Sequence, residues 1–204
     1  FSCTAYQNLL GSDRSLSRLM SKLCLQQSRD FWERMVAENL YFSKGAVELA
    51  VNLMKSGRGF TIVTDTNMAL AGVNKAALKQ LNGTVRCFMA DPDVAAEAKE
   101  RGVTRAIVSM ERAATLAGPV IFAIGNAPTA LIRLYEMMQK GEIHPDFIIG
   151  TPVGFVNVVE SKELICQSSV PCIVARGRKG GSNIAAAVCN ALMYQVTRTQ
   201  KSGK

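Results

Sequence analysis

From residue 44 onward, short apolar runs alternate with longer stretches whose apolar residues recur every three or four positions. The short runs predict strands over 60–64, 85–89, 120–124, 147–149 and 172–175. The longer stretches predict helices over 46–54, 94–100, 129–139, 160–165 and 184–196. A helix-length connection between successive strands calls for a right-handed crossover and a parallel sheet. The strands are continuously apolar rather than alternating, as in Phe147-Ile148-Ile149-Gly150, which predicts cover on both faces. The expected fold class is therefore α/β, a three-layer, doubly wound parallel sheet of about five strands.

The first 43 residues follow a different pattern. Gly11-Ser12-Asp13 is a turn and helix-start signal. Beyond it, Leu16, Leu19, Met20 and Leu23 fall at helical spacing, with Arg14, Arg18 and Lys22 opposite. We read 1–43 as an N-terminal helical segment and 44–204 as the α/β domain. The apolar stripe of that helix needs a cover, which is either its own domain or a partner subunit.

Composition narrows the function. The chain of 204 residues, 48% hydrophobic and 20% charged, suffices for one core. No apolar run approaches the roughly 18–20 residues of a membrane span, and residues 1–10 lack the basic-then-apolar order of a signal peptide. The six cysteines form no C-x-x-C pair, and the chain has one histidine, His144. That argues against a Cys/His metal site and for reduced cysteines in a cytoplasmic protein. The net charge of +8 favours an anionic partner, but aromatic residues are only 6% of the chain and the basic residues are scattered. A polyanionic small molecule is thus expected, rather than nucleic acid or membrane.

In an open parallel sheet, ligands bind at the carboxyl ends of the strands. Here those ends run into Thr64-Asp65-Thr66-Asn67-Met68, Ala90-Asp91-Pro92, Gly125-Asn126-Ala127-Pro128-Thr129, Gly150-Thr151-Pro152-Val153-Gly154-Phe155 and Arg176-Gly177-Arg178-Lys179-Gly180-Gly181-Ser182-Asn183. Several lead straight into helices, so backbone N–H groups suited to carboxylates or phosphates face one rim. Helix capping alone accounts for Asp91, Thr129, Ser182 and Asn183. It does not account for Arg176, Arg178 and Lys179 among three glycines. A phosphate-binding G-x-x-x-x-G-K-[ST] loop is absent, and Gly57-Arg58-Gly59 precedes a strand where a dinucleotide fingerprint must follow one. His144 lies in a polar turn at the amino end of a strand, opposite the expected ligand rim.

These segments resemble the precorrin-8X methylmutase family from about Phe42 to Leu192. The likeness rests on Gly125-Asn126-Ala127-Pro128-Thr129-Ala130-Leu131, on Pro152-Val153-Gly154-Phe155-Val156 with Glu160-Ser161-Lys162-Glu163, and on Gly177-Arg178-Lys179-Gly180-Gly181-Ser182 with Asn190-Ala191-Leu192. The resemblance implies a flavodoxin-like sheet, a homodimer with its site near the subunit interface, and methyl migration between adjacent carbons of a polycarboxylate corrin precursor without a cofactor. It implies that Arg105 is an active-site arginine. It also implies that Thr66, Met68, Asn126, Thr129, Ser161, Lys162, Arg178, Lys179, Gly180, Gly181 and Ser182 bind substrate. A solvated first helical turn is the plainer account of Ser161 and Lys162.

The chain departs from the family at the histidine proposed there as general acid. Aligned without gaps from Phe42-Ser43 that position falls on Arg29, and aligned on Arg34-Met35-Val36 it falls on Ala37. Three readings stay open: a slow methylmutase, a relative that binds a corrinoid without transforming it, or another acid such as Asp65. For Asp65, a hydrogen-bonded strand-end carboxylate is the plainer expectation.

Overall fold

The computed structural model describes residues 39–201, with side chains as far as 197. The predicted helix within residues 12–25 and the two candidate histidine positions, Arg29 and Ala37, lie outside the described residues. In chain order the elements are β1 (Leu40–Phe42), α1 (Ala46–Lys55), β2 (Phe60–Thr64), α2 (Asn67–Gly72), α3 (Lys75–Gln80), β3 (Gly83–Arg86), α4 (Pro92–Arg101), α5 (Arg105–Ala113), β4 (Val120–Ile124), α6 (Pro128–Gln139), β5 (Phe147–Gly150), α7 (Val158–Gln167), β6 (Cys172–Ala175) and α8 (Ser182–Lys201).

The strands form one sheet in the order β1-β6-β5-β4-β2-β3. Five are parallel, and β1 pairs antiparallel with β6, Leu40 opposite Ala175. The parallel strands alone, β3-β2-β4-β5-β6, give the doubly wound, flavodoxin-like order. The sheet has six strands where five were expected. The extra one is β1, so residues 40–42 belong to the sheet and not to the N-terminal segment. β3 also starts earlier than expected, at Gly83, whose partner is Phe60. Gly83 fits because a Cβ there would fall 2.7 Å from the Phe60 ring.

Every residue of β4, β5 and β6 is buried, the consequence of apolar runs with helices on both faces. Successive side chains alternate between two cores. Ile62, Ile121, Ala123, Ile149 and Ile173 pack under α1, α3 and α8. Val63, Phe122, Ile124, Ile148 and Val174 pack under α4 to α7. Three helices start at capping side chains that satisfy the first-turn amides: Thr66 accepts from Ala69 N, Asn74 from Ala77 N, and Thr104 from Ile107 N. Asp91, expected to cap α4, makes no such bond; Pro92 starts that helix instead.

The long α8 crosses behind the rim and is tied to it. Asn190 accepts from Asn74 N at 2.8 Å and donates to Gly72 O at 2.9 Å. Gly72 sits so near α8 that a Cβ would lie 2.8 Å from the Ala186 methyl.

Candidate active site

The strand order reverses between β2 and β4, and the residues that leave those two strands meet at their carboxyl ends. Asp65 ends β2, is fully buried, and spends both carboxylate oxygens on backbone amides. Gly125 N donates to Oδ1 at 2.8 Å, and Asn126 N and Ala127 N donate to Oδ2 at 2.8 and 2.6 Å. Burial pushes its carboxyl above the usual carboxylate range, against the pull of the three amides. Asp65 therefore shapes the turn into α6 from beneath and presents no oxygen to the rim.

Above that turn lies a cleft of about 580 Å³. Asn67, Met89, Ala90, Thr104, Arg105, Asn126 and Thr129 are among its lining residues, and none of the lining residues is acidic. The starts of α5 and α6 both open onto it, joined by a Thr104–Thr129 hydroxyl contact at 3.3 Å. Arg105, the first residue of α5, is exposed at the cleft, and no ion pair holds it among the described residues.

The second half of the rim is a backbone weave of the loops after β5 and β6. Gly181 N donates to Thr151 O at 2.8 Å, and the Thr151 hydroxyl contacts Gly181 O and Ile124 O, each at 3.3 Å. Gly180 is packed so closely that a Cβ would lie 2.1 Å from Thr151 O. A Cβ on Gly125 would lie 2.5 Å from Ser182 Cα. The Ser182 hydroxyl meets Thr66 Oγ1 at 2.7 Å, which links β2, β4 and α8 at one point.

This arrangement gives several of the expected site residues contacts within the protein. The Gly181 amide is committed to Thr151 O, and the Ser182 hydroxyl is engaged with Thr66. Gly180 serves close backbone approach. Ser161 and Lys162 are neither solvated nor on the rim surface, because both are fully buried. Ser161 Oγ donates to Val158 O at 2.9 Å, and Lys162 Nζ donates to Gly177 O at 2.7 Å and Lys179 O at 2.8 Å. Burial pushes the Lys162 ammonium down to about 8. Arg176 leaves the basic group, since it pairs with Glu163 and lies 5.4 Å from the Tyr41 ring centroid. Arg178 and Asn126 remain exposed, and Met68 is 70% exposed.

Two features were not legible in the sequence. One is the Lys162 contact with the loop after β6. The other is a set of exposed apolar side chains in the loops that follow β2 and β5: Met68, Val153, Phe155 at 84% and Val156 at 76% exposure. His144 is exposed in the turn before β5, at the opposite end of the sheet from this rim. No helix among the described residues is long and apolar enough to cross a membrane.

A cleft edged by Arg105 and free of acidic side chains suits an anionic ligand. Comparison with known proteins points the same way. The chain is 39% identical over 168 residues to the cobalt-precorrin-8 methylmutase of Priestia megaterium, covering 82% of this chain and 72% of that protein. It is 42% identical over 160 residues to the precorrin-8X methylmutase of Pseudomonas aeruginosa, covering 77% and 75%. Among solved structures, the precorrin-8X methylmutase of Thermus thermophilus aligns with a TM-score of 0.77 at 31% identity, over 96% of this chain and 94% of that one. The family model for precorrin-8X methylmutase matches residues 29–195, most of the chain. With the flavodoxin-like sheet and the glycine-woven rim already in place, the chain belongs to the precorrin-8X methylmutase family, isomerases of cobalamin biosynthesis.

Proposed function

We propose that this protein moves a methyl group from carbon eleven to carbon twelve of a corrin precursor, giving hydrogenobyrinic acid or its cobalt-containing counterpart, cobyrinic acid. The supporting observation is the cleft at the β2/β4 switch point, with exposed Arg105 at its edge and no acidic side chain in its lining. Arg105 and Arg178 would pair with side-chain carboxylates, and Asn126 and Thr129 would add hydrogen bonds at the start of α6. Met68, Val153, Phe155 and Val156 would meet the apolar ring. The reaction is an isomerisation, so it consumes no co-reactant. What the protein supplies is a fixed ring orientation and a field that favours its carboxylates. We further propose a cytoplasmic homodimer with the site near the subunit interface.

Arg105→Ala is expected to weaken binding of hydrogenobyrinic acid by about 10- to 100-fold, the loss of one charge-assisted hydrogen bond. Absorbance titration in buffer of low ionic strength reads this directly. Unchanged affinity would remove Arg105 from the site.

A second reading, corrinoid binding without turnover, is favoured by one observation. The lone histidine, His144, lies away from the rim, and the cleft lining holds no histidine, cysteine or carboxylate that could serve as a general acid.

A further inference from the structure

We infer that Lys162 is a positioning residue for ligand binding, acting through the loop that carries Arg178 without touching the ligand itself. The role assigned to that loop rests on the methylmutase reading. Lys162 lies on α7, one layer beneath the rim, and is fully buried. Its ammonium spans the loop after β6, bonding Gly177 O at 2.7 Å and Lys179 O at 2.8 Å. The carbonyl between them, Arg178 O, accepts from Gly154 N at 3.3 Å. Three successive carbonyls are thus held, two by the buried ammonium and one by the loop after β5. The loop is curled about one buried cation, and the Arg178 side chain is left exposed on its outer side.

Stability alone gives a poor reason for a cation here. Among the described residues no carboxylate pairs with Lys162, so carbonyl dipoles alone offset its desolvation. Burying a charge without an ionic partner is costly, and an apolar side chain of similar length avoids that cost while leaving two carbonyls unpaired, so the two effects on stability largely offset. What the apolar chain cannot do is gather two carbonyls from opposite sides of Arg178. Fixing that loop removes the ordering cost that a mobile Arg178 would meet on pairing with a carboxylate.

The test uses Lys162→Met, Arg178→Ala and the double variant in the full chain. The readouts are absorbance titration with hydrogenobyrinic acid, thermal melting, and the rate of tryptic cutting after Arg178 and Lys179. K162M is expected to melt close to the unaltered protein, to bind about tenfold more weakly, and to be cut in this loop about tenfold faster. The double variant is expected to bind no more weakly than the weaker single one, because both remove the same contact. Affinity unchanged in K162M, or losses that multiply in the double variant, would overturn the inference. Should K162M fail to fold, Lys162→Gln is used instead: its side chain is one atom shorter and uncharged, so a looser hold on the loop is expected, with cutting faster and binding about threefold weaker, and faster cutting at unchanged affinity would overturn the inference. If the unaltered protein does not bind hydrogenobyrinic acid, the methylmutase reading fails, and with it the ligand role of the loop. An unchanged tryptic rate with ligand binding intact would instead overturn Lys162 alone.

Discussion

Asp65→Ala is expected to destabilise the protein by about 3–5 kcal/mol, the usual loss when one partner of a buried charge and its hydrogen bonds is removed. The cause is local and countable. The amides of Gly125, Asn126 and Ala127 all donate to this one carboxylate, and Gly125 is itself buried. At roughly 2–4 °C per kcal/mol for a domain of this size, melting should fall by about 10 °C. Asp65→Asn separates the two roles open to the residue. An asparagine offers one acceptor oxygen and turns an NH₂ group toward amide donors, so the turn loosens although the shape is kept. If Asp65 only holds the turn, ligand affinity and turnover fall together in D65N. If it supplies a proton, turnover collapses while affinity stays. The geometry predicts the first result.

The second large effect is expected at Gly180. Alanine there would set a methyl 2.1 Å from Thr151 O and 2.7 Å from Pro152 O, both backbone atoms that cannot swing aside. The loop after β6 must then lift from the loop after β5, breaking the Gly181–Thr151 bond. Overpacking of this kind costs about 1–3 kcal/mol, and the displaced Arg178 should weaken hydrogenobyrinic acid binding by about tenfold or more. Titration and melting of G180A check both; a variant that melts and binds like the unaltered protein would mean that the weave is not what aligns the rim.

The sheet was legible in the sequence because its strands are buried on both faces. Val120-Ile121-Phe122-Ala123-Ile124 can be little else between two helical stretches. The edge strand β1 was not legible: three residues carry no period, and its place is set by β6, more than 130 positions away. The rim segments were legible as a group, since glycine and polar residues gather where apolar strands end. The division of labour among them was not. Asp65, Ser161, Lys162 and Ser182 have the side chains of a binding site. Whether such a group faces a ligand or the protein depends on contacts between distant loops, such as Asp65 with Gly125 and Lys162 with Gly177. Spacing along the chain does not encode those contacts. In both buried examples a charged residue one layer down holds the backbone that carries an exposed group, Asn126 above Asp65 and Arg178 above Lys162.

Without the histidine, this rim should still perform methyl migration. Its most direct test is anaerobic absorbance of the protein mixed with precorrin-8X, followed over hours, because moving the methyl group changes the conjugation of the ring. The band pattern of hydrogenobyrinic acid should grow in, about 100- to 10,000-fold more slowly than in a family member that has the histidine, as the loss of one general acid requires. A shift that is stoichiometric with protein and then stays constant would contradict it, leaving a protein that binds the corrin precursor and does not turn it over.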